Sequence, residues 1–160
     1  MTDPRGNVIG DTVDWFDKAR GTEGTRKNFH VQVGVHFEEV SEMTQEMSTL
    51  EPDLELLIAK AKQANHELAQ YLKDNSEGDS LHIETEDELR FLDALCDQIV
   101  TAAGCAQVCG YDIVGALNEV NRSNFSKFDP VTGKAITDAN GKIIKGPAYF
   151  KADLKPFLTR

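Results

Sequence analysis

Apolar residues recur every three or four positions through most of residues 12–123, and that period selects helices over strands. Between about Asn28 and Leu50 the repeat is Val33, Phe37, Val40, Met43, Met47 and Leu50. Pro52 suits the first turn of a next helix. That helix is expected to reach about Lys73 with Leu54, Leu57, Ile58, Ala61, Leu68, Tyr71 and Leu72 inward. Upstream, "TVDWFDKAR" (12–20) reads as a short helix, which Gly21 and Gly24 interrupt. Downstream, Thr85 and Glu88 have the spacing of a capping box. The stretch they would open, "LRFLDALCDQIVTAAGCAQVCG", is the most apolar in the chain and is expected to be buried on most sides. Gly110 is a natural stop, and Asp112 can cap a further helix to about Ser123. The fold class expected is all-α, a helical bundle of about four main helices with a few short ones.

The C-terminal end breaks the pattern. "GKAITDANGKIIKG" (133–146) contains a near-repeat around Asn140-Gly141, a turn signal. It reads as a small hairpin or ordered loop, followed by an extended strap, "PAYFKADLKPF". The length of 160 residues suits a single domain, 1–160, with residues 1–11 as a loose arm and 129–160 as a basic tail. No apolar run approaches the ~20 residues of a membrane span. The first ten residues lack the basic and apolar parts of a signal peptide, so a cytoplasmic location is expected. Cys96, Cys105 and Cys109 read as reduced core thiols, because neighbouring turns of one helix rarely suit a disulfide.

The net charge of −10 argues against non-specific nucleic-acid binding. Its distribution is uneven. Residues 1–120 hold 24 acidic and 9 basic side chains, and residues 121–160 hold 3 and 8. Within the acidic part, Glu38, Glu39 and Glu42 fall within one and a half turns of a helix, beside Val35, Phe37, Val40 and Met43. Asp93 and Asp97 lie one turn apart in the apolar stretch. Each cluster alone also reads as a wet acidic face. Two such clusters on apolar helices make a shared cation the better account, since buried like charges repel unless something compensates them. Carboxylates without His or Cys suit Mg²⁺ or Mn²⁺ rather than Zn²⁺. The four histidines, His30, His36, His66 and His82, are too scattered to join them. In the basic part, Asn121, Asn124, Lys127, Lys145 and Tyr149 could bind a nucleotide. Amides can read a base or sugar, cations hold phosphates, and an aromatic ring stacks on a base.

With "EEVSE" (38–42), acids four apart at 93–97, and "NRSNFSKFD…GK…GKIIKGPAY" (121–149), the chain resembles the all-α nucleoside triphosphate pyrophosphohydrolases. These are the MazG-like and phosphoribosyl-ATP pyrophosphohydrolase-like proteins, including bacteriophage forms. The resemblance covers the layout of residues 12–157. The family's metal motif is EExxE followed on a later helix by ExxD. Glu38, Glu39 and Glu42 match the first part and Asp97 the final Asp; Ala94 stands where the second Glu is expected, and Asp93 is the nearest substitute. The resemblance implies metal binding by Glu39, Glu42, Asp93 and Asp97, with Glu38 as general base. It implies Mg²⁺- or Mn²⁺-assisted water attack on a nucleotide's phosphate chain, releasing a nucleoside monophosphate and pyrophosphate. A purine deoxynucleotide such as dGTP is the first expected substrate, with dUTP next. It further implies a homodimer or homotetramer that completes its site with neighbouring helices. The alternative of another class is a non-catalytic helical oligomer that binds a nucleotide or a protein.

Overall fold

The computed structural model describes residues 6–20, 25–76, 84–137 and 143–158. Five α-helices carry the chain: α1 (Val8–Arg20), α2 (Arg26–Gln45), α3 (Pro52–Asp74), α4 (Glu88–Cys109) and α5 (Ile113–Phe125). A single 3-10 turn, Lys155–Phe157, follows near the end. The fold is all-helical, and the described residues contain isolated β-bridges but no strand. The chain divides into two compact units. One is Gly24–Glu86; the other joins Met1–Glu23 to Asp87–Arg160.

The first unit is a helical hairpin of α2 and α3. Thr25 caps α2 by accepting the Asn28 N–H, and Pro52 occupies the first turn of α3, where its missing N–H costs nothing. The helices approach closely at Gly34. A β-carbon there would lie 3.0 Å from Lys73 Cγ, 3.1 Å from the Ala69 carbonyl oxygen and 3.2 Å from Leu72 Cβ. Ala69 and Leu72 are buried against this point, and the Ser41 hydroxyl donates to the Lys62 carbonyl at 3.1 Å. Only part of the expected inward face of α3 is covered. Ile58 is half-buried and Leu72 buried, whereas Leu54, Leu57, Leu68 and Tyr71 are exposed. The expected face is wider than one neighbouring helix can cover.

In the second unit α1 packs on α5. It begins at Val8, inside the segment expected to be a loose arm, because the Asn7 side chain accepts the Gly10 N–H and opens the helix early. The capping box at Thr85 does not form. Asp87 caps α4 by accepting the Arg90 N–H, so the helix starts at Glu88. Asp is as good a cap as Thr, and the later start loses nothing. Gly110 ends α4 in the left-handed region at φ 73°, as its residue type requires. Asp112 caps α5 by accepting the Gly115 N–H.

The C-terminal strap is sewn along α5. Ser123 Oγ donates to the Phe150 carbonyl at 2.8 Å, and the Phe150 N–H donates to Ser126 Oγ. Glu119 takes the Arg122 guanidinium on both oxygens and also accepts the Asp153 N–H, while Arg122 lies over the Phe150 ring. The strap ends at a bridge between Leu158 and Tyr111. Of the expected hairpin, Thr137 pairs with Ile143 and Ala135 with Phe128; the Asn140-Gly141 turn lies outside the described residues.

Two burial expectations fail on α4. Its apolar residues are largely uncovered: Leu89, Leu92, Ile99 and Val100 are all more than half exposed, and Ala106 is the one buried residue of the helix. Cys96 and Cys105 are exposed and Cys109 half-buried, all three free, so they are not core thiols. Within its unit α4 packs only against α5, and one partner covers one end of one face.

Candidate functional site

The residues singled out from the sequence fall into two acidic clusters and a set of tail residues. Glu38, Glu39 and Glu42 stand on the C-terminal half of α2, in the hairpin unit. Asp93 and Asp97 stand on α4, in the other unit, and each cluster has its own environment.

Glu38 faces α3, where Lys73 Nζ donates to its Oε1 at 2.7 Å; both side chains are partly buried. Glu39 and Glu42 turn outward. Together with Met43, Gln45 and Glu46 they line a shallow open depression. Glu46, the C-cap of α2, has no counterpart among the sequence-derived candidates. Its signal was present, four residues after Glu42. It lies outside the EExxE pattern, which ends at Glu42.

The electrostatics of this rim favour a cation. Crowding by neighbouring side chains, and then the charges of Glu42 and Glu38, raise the Glu39 carboxyl above its ordinary value of 4.5. The C-terminal end of a helix already carries partial negative charge. Here it carries Glu42 and Glu46 as well, with no basic residue in the last turn. The donors are oxygens only, the set that suits Mg²⁺ or Mn²⁺. Among the described residues no three His, Cys, Asp or Glu side chains already converge as a metal-holding group. Glu38 thus has an ammonium partner, whereas Glu39 stands between two like charges.

Asp93 and Asp97 lie on the side of α4 turned away from Leu92, Leu95 and Ile99, and both are exposed. The case for a cation between them assumed burial. Exposed carboxylates a turn apart are hydrated and screened, and require none.

The tail residues separate into two pairs and one structural residue. Lys127 Nζ donates to Asn124 Oδ1 at 2.8 Å and sits 5.5 Å from the centre of the Trp15 ring. Lys145 Nζ lies 4.8 Å from the centre of the Tyr149 ring. The two segments meet, since a β-carbon on Gly146 would lie 3.4 Å from the Lys127 carbonyl oxygen. Asn121 is different. It is only 4% exposed, its amide nitrogen donates to the Val8 carbonyl at 2.9 Å, and its Oδ1 accepts from the Thr12 hydroxyl at 3.0 Å. It clamps α1 to α5, with both polar atoms of its amide engaged.

No protein-family model, curated protein or solved structure matches this chain.

Proposed function

We propose that the protein is a Mg²⁺- or Mn²⁺-dependent nucleoside triphosphate diphosphohydrolase that releases a nucleoside monophosphate and pyrophosphate. The observation that carries this reading is the acidic rim of α2. Three outward carboxylates, Glu39, Glu42 and Glu46, crowd a helix C-terminus whose last turn contains no basic residue. The sequence resemblance to the all-α pyrophosphohydrolases, which draws on the same Glu39 and Glu42 and on the 93–97 and 121–149 segments, also supports it. Glu42 and Glu46 would hold the metal, leaving Glu39 unligated; the metal's contribution would be to neutralise phosphate charge and acidify water. Glu39 is assigned the proton from the attacking water, in place of Glu38, which stays paired with Lys73. Within the other unit, and taken by themselves, Lys127 and Lys145 are proposed to bind a phosphate group, with Asn124 and Tyr149 beside them for a sugar or base. A purine deoxynucleotide such as dGTP is the first candidate substrate, and a homodimer or homotetramer the proposed assembly.

The test is incubation with a panel of ribo- and deoxynucleotides, with Mg²⁺ or Mn²⁺, followed by analysis of products. Monophosphate and pyrophosphate from at least one nucleotide is the expected result, lost in Glu39→Gln and retained in part in Glu38→Gln. Absence of turnover across the panel sinks the reading.

A second reading has its own observation. Asp93 and Asp97 are exposed, and Ala94 stands where the motif needs Glu, so α4 offers an incomplete second half of the metal motif. That favours a non-catalytic oligomer that binds a nucleotide or protein. Nucleotide binding without turnover would select it.

A further inference from the structure

α3 presents one face that α2 covers and a second, apolar face that it does not. The covered face is Ile58, Lys62, Asn65, Ala69 and Leu72, each half-buried or buried. The other is Leu54, Leu57, Ala61, Ala64, Leu68 and Tyr71, all exposed, with Leu57 and Tyr71 each 60% exposed. Its spacing is three, four, three, four, three. That is the unbroken a/d seam by which one helix packs lengthwise on another. A two-helix hairpin has no further helix to offer it.

We propose that this seam docks on the same seam of a second copy of the chain, with the two α3 helices antiparallel. The order of side-chain sizes reads alike in both directions. Antiparallel pairing sets Leu54 against Tyr71 of the second copy, Leu57 against Leu68, and Ala61 against Ala64. The alanines fall at the crossing point, where small side chains let backbones approach, and the large residues close the ends. The charges flanking the seam select the direction. Antiparallel pairing sets Lys60 beside Glu67 of the second copy, twice by symmetry. Parallel pairing sets the same two residues against Asn65 and Leu72. At the outer ends Asp53 meets Asp74 of the second copy; both are exposed, so water and salt screen this repulsion.

The area suits a reversible dimer. The seam spans about 27 Å of helix. Four large side chains per copy, at roughly 60–120 Å² each, with the alanines and the stems of Lys60 and Glu67, bury about 1,000 Å² in all. That is the lower edge of a specific interface. Two hairpins joined in this way make a four-helix bundle in which both faces of α3 are covered.

The association is read without nucleotide or metal, so it stands or falls apart from the hydrolase reading. Sedimentation velocity of the full chain over a concentration series is expected to show a species of twice 17.7 kDa, or a multiple of that, which dissociates on dilution. Ala61→Glu places a charge at the crossing and should halve the mass, with the far-UV circular dichroism unchanged because the site is exposed in one copy. Lys60→Glu should weaken association about tenfold, and Lys60→Glu combined with Glu67→Lys should restore it. A monomer at every concentration overturns the proposal. So does a mass that Ala61→Glu leaves unchanged in a folded protein. Should Ala61→Glu fail to fold, the charge exchange decides: no loss in the single variant, or no recovery in the double, overturns it.

Discussion

Glu39 differs from its neighbours in how it meets its charge. Glu38 is neutralised by Lys73, whereas Glu39 has crowding and two like charges around it, and its pKa is raised. A raised carboxyl pKa means that the folded state binds the proton more tightly than the unfolded one. Folding stability therefore falls as pH rises from the ordinary value of 4.5 through the raised folded value, and the penalty is complete above it. Glu39→Gln removes that penalty. The variant should melt at a higher temperature than the parent at pH 7, and the difference should vanish below about pH 4.5, where both states hold the proton. Thermal melts at several pH values check this. A variant less stable at pH 7 would show that the Glu39 carboxylate makes a stabilising contact.

At the scale of elements, the α2–α3 hairpin depends on one close approach. Gly34 brings the α2 backbone to the Ala69 carbonyl and the side chains of Leu72 and Lys73. A glycine inside a helix costs up to about 1 kcal/mol against alanine, so the packing it permits must offset that. Gly34→Val puts two methyl groups where a single β-carbon is already tight, and forces the helices apart. A loss of about 1–3 kcal/mol is expected in chemical denaturation. The Glu38–Lys73 pair lies on the adjoining turns and should loosen with it. The same argument accounts for what α3 leaves open: α2 is narrow enough to cover one of its faces and not both.

At the scale of the whole molecule, acid dominates the first 120 residues and base the last 40. Self-repulsion of like charges weakens a compact state, and salt screens it. A cation held by the α2 rim acts in addition to screening. At matched ionic strength Mg²⁺ should raise the melting temperature more than Na⁺ does, and the excess should disappear in Glu39→Gln with Glu42→Gln. An ion at a hundred times its Kd contributes about 2.7 kcal/mol, a shift of several degrees. Equal effects of the two salts would remove the metal from the rim. Much of this protein was legible in its residues alone. Pro52, Gly110 and Asp112 placed helix ends within a residue or two, because caps and stops act locally, whereas the apolar period read to Leu50 overran α2, which ends at Gln45. The acidic rim was legible for the same reason, since residues three and four apart on a helix must be neighbours. Other features depend on partners distant in sequence. Lys73 reaches Glu38 across 35 residues, and Asn121 is spent on Val8 and Thr12 more than 100 residues away. Apolar period shows that a face exists, but only tertiary packing decides whether a neighbour covers it. That is why α4 and the outer seam of α3, both apolar in sequence, lie exposed in the single chain.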